Sequence, residues 1–309
     1  MITVLALSPS LDVTYVVDAL VRGEISRPTA VQKVAGGKGL NLARAATALG
    51  TATTVIAPFA GRTGELVRER LAAAGVTVVP IAAEGETRTC VSIASLSDAS
   101  LTEVYEPATP VGSAWPLIEA AVAEQRGAWL VLSGSVPADV GLDAVARSLT
   151  RARDRGARIA VDTHGAALGA LVDAVRPELV KINRHEAAAY LALPAETDLL
   201  ELAEGVRRRS GGDVVLTDGA AGSVALTRGG DAWRAGRGST FGAYPVGSGD
   251  CYLGGLLSAL DAGEGIDRAL TLAAACAGAN AATPGAALFD TDLARSDRES
   301  VSVRRGGMV

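Results

Sequence analysis

Short apolar runs rich in β-branched residues alternate with segments of helical periodicity along most of this chain. Apolar positions three and four residues apart predict helices near 39–49, 63–74, 141–155, 185–192 and 198–209, with more helices after residue 250. The β-branched runs predict strands at 2–7, 53–59, 128–134, 158–163, 179–183 and 213–218. Repeated alternation of strand and helix indicates an α/β fold with a doubly wound, mostly parallel sheet and helices on both faces.

Two segments interrupt this alternation, because each contains two short strand-like runs with no helix between them. Two such pairs can form one small β-sheet that projects from the core as a lid over the carboxyl ends of the strands. The tail is polar and is expected to be frayed. The predicted organisation is a core at 1–11, 35–86 and 108–295, a lid at 12–34 and 87–107, and a tail at 296–309.

Composition limits the classes of partner. The net charge is −5 and no long basic run is present, which argues against nucleic acid. Cys90, Cys251 and Cys276 are scattered, so a disulfide framework or a zinc site is not expected, and a reducing cytoplasm fits best. His164 and His185 lack partners at metal-ligand spacing and are expected at the surface or in turns. Neither a signal peptide nor a membrane span is recognisable.

The stretch "GSGD", Gly247 to Asp250, precedes apolar residues at helical spacing and therefore predicts a tight turn that enters a helix. Amide groups at a helix start lack intrahelical acceptors and favour an anion. A carboxylate at the same point could act as a general base on a hydroxyl while the turn stabilises charge arriving on a phosphoryl group. The alternative is an ordinary glycine turn with an aspartate that favours the helix N-terminus.

A second glycine-rich turn surrounds Lys38, one of only three lysines in the chain, and also leads into a helix. It is not a P-loop, because Gly39 stands where that motif needs serine or threonine. The G-x-G-x-x-G fingerprint of a dinucleotide-binding fold is also missing. The alternative is a plain turn before a helix.

"KINRHE" places Asn183 and Glu186 three residues apart at a strand-to-helix junction. Glu186 could hold a magnesium ion through water while Asn183 orients a phosphate. The same spacing equally fits a capping box, in which the two side chains only close the first helical turn. In "LTDGAAGS", Gly219 and Gly222 would allow a nucleotide to approach the backbone closely.

In this order, "SPSLD", "GGKGLN", N-x-x-E and G-x-G-D resemble the motifs of the ribokinase-like PfkB carbohydrate kinases over nearly the whole chain. "GGKGLNLAR", "TRT", "LSGSVP" and "VKINRHE" look most like the branch with 1-phosphofructokinase and tagatose-6-phosphate kinase. The resemblance implies ATP and Mg²⁺ as cofactors and phosphoryl transfer to a ketohexose phosphate: fructose 1-phosphate, tagatose 6-phosphate or fructose 6-phosphate. A kinase for an unphosphorylated sugar or nucleoside, and a non-catalytic sensor on the same scaffold, are the alternatives.

The resemblance also assigns roles to residues. It implies that Asp250 is the catalytic base and that the anion hole is formed by Gly247, Ser248 and Gly249. Arginine and lysine suit the phosphate already on the sugar. Sugar-phosphate contacts are implied for Asp12, Arg27, Gly36, Gly37, Lys38, Asn41 and Arg88. Nucleotide contacts are implied for Lys181, Asn183, Thr217, Gly219, Gly222 and Asn280, and magnesium binding through water for Glu186.

Four residues depart from the usual pattern of the branch: Ser8, Cys90, Tyr105 and Pro245. They lie mainly on the sugar side, so the identity of the sugar is the part that the motifs determine least. The resemblance further implies a homodimer through the lid, and it leaves open whether a potassium ion supports the anion hole.

Overall fold

A computed structural model of the chain describes residues 1–306 and contains two β-sheets. The strands are β1 (Ile2–Leu5), β2 (Ser10–Val17), β3 (Ala30–Gly36), β4 (Thr53–Phe59), β5 (Thr77–Ala82), β6 (Thr89–Ser95), β7 (Ser100–Tyr105), β8 (Trp129–Ser133), β9 (Arg158–Asp162), β10 (Leu179–Asn183), β11 (Asp213–Thr217), β12 (Ser223–Leu226), β13 (Ala232–Ala235) and β14 (Val303–Gly306). The helices are α1 (Lys38–Ala48), α2 (Gly61–Ala73), α3 (Trp115–Glu124), α4 (Leu142–Asp154), α5 (Gly165–Val175), α6 (Arg184–Leu191), α7 (Leu199–Ser210), α8 (Ser248–Asp261), α9 (Ile266–Ala281) and α10 (Thr291–Asp297).

The large sheet has ten strands in the order β14-β13-β12-β11-β10-β9-β8-β1-β4-β5. Pairing is parallel from β5 through to β11 and antiparallel from β11 to β14. Every residue of β1 and β8 is buried, as expected for strands that helices cover on both faces. The predicted doubly wound α/β core is therefore confirmed.

The small sheet has four strands in the order β3-β2-β6-β7 and forms a separate sheet. Its strands fall in the two segments that interrupt the helix–strand alternation, so the predicted second sheet is confirmed. The register places Asp12 beside Cys90, and Cys90 beside Tyr105. Side chains at paired positions share one face, so these three point the same way.

The sequence pattern missed several elements of the core. β5 is an edge strand, partly exposed and containing Pro80, so its hydrophobic alternation is weak. α5 consists of alanine, glycine and apolar residues over most of its length, which leaves little polar contrast from which to recognise a helix. The antiparallel strands β12 and β13 are only four residues each.

The tail is more ordered than its polarity suggests. Residues 303–306 form β14, which pairs with β13 at the edge of the large sheet. Arg305 lies opposite Trp233, with its guanidinium 5.9 Å from the ring centroid, and pairs with Asp231. The expectation of fraying is therefore wrong for this strand, because backbone pairing and a cation–π contact hold it. Residues 307–309 of the predicted tail lie outside the described residues.

Two further observations concern the limits set by composition. Cys90, Cys251 and Cys276 are all buried with free thiols. Within residues 1–306, no helix is both long enough and apolar enough to cross a lipid bilayer.

Close packing of α1 against α8 brings two helix N-termini to the same end of the sheet. Gly254 of α8 makes this possible, because a Cβ there would lie 3.0 Å from the Cβ of Ala45 and 3.1 Å from the carbonyl oxygen of Leu42. Both helices begin beyond the carboxyl ends of parallel strands, where α/β folds collect their functional side chains.

Candidate active site

Two cavities meet at the first turn of α8. The larger, about 820 Å³, lies between the small sheet and the strand ends, and the smaller, about 320 Å³, extends from α8 along α9. Five residues line both cavities: Thr217, Gly219, Pro245, Ser248 and Gly249. Ligands in the two cavities would therefore lie next to each other beside this turn.

Asp250 lies at this junction, in the first turn of α8, and its side chain is 6% exposed. Its Oδ2 accepts a hydrogen bond of 2.9 Å from Asn41 Nδ2. Burial and the nearby Asp162 carboxylate raise the pKa of Asp250 to about 7, while Lys38, the Asn41 hydrogen bond and Lys181 oppose the rise. A carboxylate with this pKa can take up a proton near neutral pH, as a general base must.

The turn before α8 leaves two amides for a ligand. Gly247 has a φ of 81°, a left-handed conformation that suits glycine. The Ser248 amide donates to the carbonyl of Pro245 at 3.0 Å, and the Asp250 amide donates to that of Gly247 at 3.1 Å. Within residues 1–306, the amides of Gly247 and Gly249 have no backbone acceptor. In the predicted anion hole, the amides of Gly247 and Gly249 are thus available to a ligand, whereas the Ser248 amide donates to a carbonyl within the turn.

Asn280 is fully buried and lines neither cavity. Its Nδ2 donates to the carbonyl of Val246 and to Ser248 Oγ, both at 2.9 Å, and its Oδ1 accepts from the Ala287 amide at 2.7 Å. Asn280 therefore holds the turn before α8, and the nucleotide contact predicted for it stays a prediction.

A cluster of buried charges lies beside Asp250. Asp162, fully buried at the end of β9, is 3.3 Å from Lys38 Nζ and 3.5 Å from Lys181 Nζ. Lys38 also pairs with Glu186 Oε1 at 3.2 Å. Burial alone would raise the pKa of Asp162, but Lys181 and Lys38 hold it below its ordinary value. Sequence reasoning missed Asp162, and its position at a strand end was the only available signal.

Asn183 and Glu186 form the capping box that was one alternative for their spacing. Asn183 Oδ1 accepts from the Glu186 amide at 2.9 Å, and Glu186 Oε2 accepts from the Asn183 amide at 2.9 Å. Both residues also line the larger cavity. A carboxylate oxygen beside a cavity is the ligand type that Mg²⁺ prefers, and binding through water fits its position.

Asp12 lies on the small sheet and faces the larger cavity. It accepts from Ser10 Oγ at 2.6 Å and from the Gly37 amide at 3.3 Å. A Cβ at Gly36 would lie 2.0 Å from the Asp12 carboxyl carbon, so only glycine permits this approach. Burial raises the pKa of Asp12, opposed by these two hydrogen bonds.

The three cations predicted for a sugar phosphate have different surroundings. Arg88 lines the larger cavity and donates weakly, at 3.4 Å, to the carbonyls of Ser8 and Glu106. No carboxylate in the described part of the chain pairs with it. Lys38 lines the same cavity but is already paired, and Asp162 raises its pKa. Arg27 is exposed in the loop after β2 and lines neither cavity.

Further side chains line the larger cavity. Ser8, Cys90 and Tyr105 line it as their place on the sugar side implied. His164, expected at the surface or in a turn, is exposed at the N-terminus of α5 and also contributes. The sequence assigned no role to six other lining residues: Ser10, Leu101, Glu103, Gly134, Ser135 and Val246.

The smaller cavity is lined mainly by small and apolar residues. Gly222, with a φ of 99°, lies close to the Ala235 carbonyl, and alanines of α9 form the opposite wall. Phe241 is exposed at one end, with the Arg237 guanidinium 4.9 Å from its ring centroid. An apolar groove with an aromatic ring fits a planar base, and the residues present are therefore compatible with a nucleotide.

Residues 3–292 match the profile of the pfkB family of carbohydrate kinases. The chain belongs to this family. It is 32% identical over 280 residues to the 1-phosphofructokinase of Rhodobacter capsulatus. The aligned region covers 89% of this chain and 88% of that protein. The pfkB assignment makes the chain a sugar kinase related to the phosphofructokinases.

The solved structures of Escherichia coli phosphofructokinase-2 share the fold of this pfkB protein. The complex of that enzyme with substrates and products has a TM-score of 0.90 and 26% identity, over 96% of this chain and 98% of that chain. The same enzyme has been solved in complex with potassium and as a tetrameric inhibited form. A possible 1-phosphofructokinase from Thermotoga maritima, at 20% identity and a TM-score of 0.85 over 99% of this chain and 100% of that chain, shares the fold.

Asp162→Asn is expected to lower the pKa of Asp250 below about 7, because it removes a negative charge and frees the charges of Lys38 and Lys181. Titration of the Asp250 carboxyl by ¹³C NMR, assigned against Asp250→Asn, measures the change. Asp143→Asn, on the exposed side of α4, is the control and should leave the titration unchanged. An unchanged or higher pKa in Asp162→Asn would show that the cluster does not act on Asp250.

Proposed function

We propose that this protein transfers the γ-phosphoryl group of ATP to a free hydroxyl of a ketohexose phosphate. The observation that carries the proposal is Asp250, a buried carboxyl with a pKa of about 7, placed where the two cavities meet. The first substrate to test is fructose 1-phosphate, because the 32% identical relative is a 1-phosphofructokinase. Fructose 6-phosphate and tagatose 6-phosphate are the other members of the proposed class.

Asp250 acts as the base in this proposal. Its carboxylate takes the proton of the acceptor hydroxyl, while Asn41 holds the carboxylate in place through its 2.9 Å hydrogen bond. A nucleophile in the larger cavity and a phosphoryl group reached from the smaller one would meet in line at the start of α8.

The turn and the buried lysine then stabilise the transferring group. The free amides of Gly247 and Gly249 and the helix N-terminus favour developing negative charge. Lys181 lies beside this turn, because its Nζ is 3.1 Å from the position that a Cβ on Gly249 would occupy. Mg²⁺, held by Glu186 through water, would supply further charge neutralisation when bound. A dependence on K⁺ belongs in the same assay, since a related enzyme has been solved with potassium.

Arg88 is the proposed contact for the phosphate already present on the sugar. It lines the cavity without an ion-pair partner in residues 1–306, and guanidinium binds phosphate through two directional bonds. Asp12 lies on the same small sheet and would accept from a sugar hydroxyl. Arg27 stays a predicted phosphate contact.

A cytoplasmic location is part of the proposal, since the thiols are free.

Asp250→Asn is expected to lower kcat about 10²- to 10⁴-fold while leaving nucleotide binding nearly intact, because only the proton acceptor is lost. ADP formation is measured with MgATP and fructose 1-phosphate, fructose 6-phosphate, tagatose 6-phosphate, fructose, ribose and adenosine. For the wild type, kcat should rise as the pH increases through about 7, where the Asp250 carboxyl loses its proton. Full activity of Asp250→Asn, or turnover of neutral sugars or adenosine only, would contradict the proposal.

Arg88→Ala is expected to raise KM for the phosphorylated sugar about 10- to 100-fold, since a hydrogen bond to a charged group contributes about 1.5–3 kcal/mol. The KM for ATP should change little. Arg151→Ala is the control, because Arg151 is an exposed arginine that pairs with Glu119 on α3. Equal KM values for Arg88→Ala and wild type would remove Arg88 from the phosphate site.

The small sheet is also the proposed interface of a homodimer. Of the eleven large hydrophobic side chains that are exposed within residues 1–306, seven lie on or beside this sheet, and six of these lie outside the larger cavity: Leu20, Val21, Ile25, Val31, Leu96 and Val104. An exposed apolar surface of this kind marks an association site. A second copy of this chain is the proposed partner, in line with the tetrameric form of phosphofructokinase-2.

Ile25→Glu is expected to convert the dimer to a monomer, because Ile25 is 83% exposed and a charge there would oppose burial. Sedimentation equilibrium measures the mass, and Leu117→Glu on α3, outside the small sheet, should leave it unchanged. A wild type that sediments as a monomer would be evidence against this interface.

A further inference from the structure

Arg44 is a buried arginine that none of the motifs assigned to the site. It lies on α1, one turn after Asn41, and its side chain is 7% exposed. Burial lowers the pKa of its guanidinium, opposed by the negative charge of Asp12 and Asp250 among its neighbours. No carboxylate within residues 1–306 forms an ion pair with it. Its hydrogen bonds therefore have to compensate for the lost water.

The first of these bonds favours one orientation of the Asn41 amide. Arg44 Nη2 donates to Asn41 Oδ1 at 2.9 Å, and Asn41 Nδ2 donates to Asp250 Oδ2 at 2.9 Å. A guanidinium has donors only, so the Asn41 oxygen must face Arg44. The Asn41 NH₂ group is then left facing Asp250, which as a carboxylate can only accept. The ionised Asp250 favours the same orientation, so Arg44 matters most when Asp250 is protonated and could itself donate to the Asn41 oxygen.

The other two bonds reach the segment behind the catalytic turn. Arg44 donates to the carbonyl of Ala286 at 2.5 Å and to that of Ala287 at 3.2 Å. A Cβ on Gly247 would lie 3.0 Å from the Cβ of Ala286, so this segment packs directly against the turn before α8. One guanidinium therefore contacts both the partner of the base and the support of the anion-binding turn.

We propose that Arg44 is a positioning residue of the phosphoryl-transfer site, which fixes the amide orientation of Asn41 toward Asp250 and holds Ala286 and Ala287 against the turn before α8. The proposal rests on the proposed function for its kinetic consequence only. The orientation of Asn41 can be tested in the protein without substrate, because an amide oxygen facing Asp250 would disfavour the carboxylate.

Several charged groups act on Asp250, and the test must separate Arg44 from them. Lys38 on α1 and Lys181 on β10 favour the carboxylate, whereas Asp162 on β9 disfavours it. On α8 itself, Cys251 adjoins Asp250, and burial raises its thiol pKa well above the ordinary value. The Arg44 variants leave all four in place.

Arg44→Met is expected to raise the pKa of Asp250 above about 7, measured by ¹³C titration of its carboxyl in the free protein. Both the freed Asn41 amide and the lost positive charge act in this direction. With substrates, kcat should fall about 10- to 100-fold, as for a misplaced catalytic group, with little change in the KM for ATP. The low-pH limb of the kcat profile should move to higher pH.

Matched variants separate positioning from simple loss of stability. Arg44→Lys keeps a donor-only head group and should restore most of the Asp250 pKa. Arg298→Met removes another partly buried arginine, which pairs with Glu264 away from both cavities, and should leave pKa and kcat unchanged. Combining Arg44→Met with Asn41→Ala should give less than the sum of the two single effects, because Arg44 acts through Asn41.

An unchanged Asp250 pKa in folded Arg44→Met would overturn the proposal, as would fully additive effects in the double variant. If Arg44→Met does not fold, a wild-type Asp250 pKa in Arg44→Lys together with a raised pKa in Asn41→Ala would support the proposal, and a wild-type pKa in Asn41→Ala would overturn it. A wild type with no kinase activity on the sugar panel would contradict the proposed function alone, since the titration needs no substrate.

Discussion

The hydrogen bond from Asn41 Nδ2 to Asp250 Oδ2, 2.9 Å long, joins α1 to α8 where both side chains are almost fully buried. A carboxylate in such a place loses its water, and it stays ionisable near neutral pH only if donors and cations replace that water. Asn41 supplies the donor, and Lys38 and Lys181 supply the cations. The arrangement of the other parts of the site follows from this requirement.

The α/β architecture meets the requirement because it brings distant segments to one edge. β9 ends in Asp162 and β10 carries Lys181, while α1 and α8 begin just beyond the same ends of the sheet. Glycine at position 254 lets the two helices approach closely enough for Asn41 to reach Asp250. The small sheet then covers this edge with Asp12, so the fold itself surrounds the larger cavity.

Sequence patterns predicted the parts that depend on local structure. The turns before α1 and α8 combine glycine with helical periodicity, and the capping box at Asn183 follows from spacing alone. Asp162 and Arg44 were missed because their roles depend on partners far along the chain: Lys38 is 124 residues from Asp162, and Ala286 is 242 residues from Arg44. Locally, the first is an ordinary strand end and the second an ordinary helical arginine. Only the packing of the folded chain brings them to these partners.

These two residues act on Asp250 with opposite charge. Asp162 makes the carboxylate harder to form, and its own charge is held in place by the two lysines that make it easier. Arg44 contributes direction through Asn41 as well as positive charge. A base works best when its pKa is close to the working pH, since it must accept a proton and then release it. A pKa of about 7 in a fully buried aspartate is therefore the result of a balance between groups. The burial that raises the pKa also makes each neighbouring charge more effective.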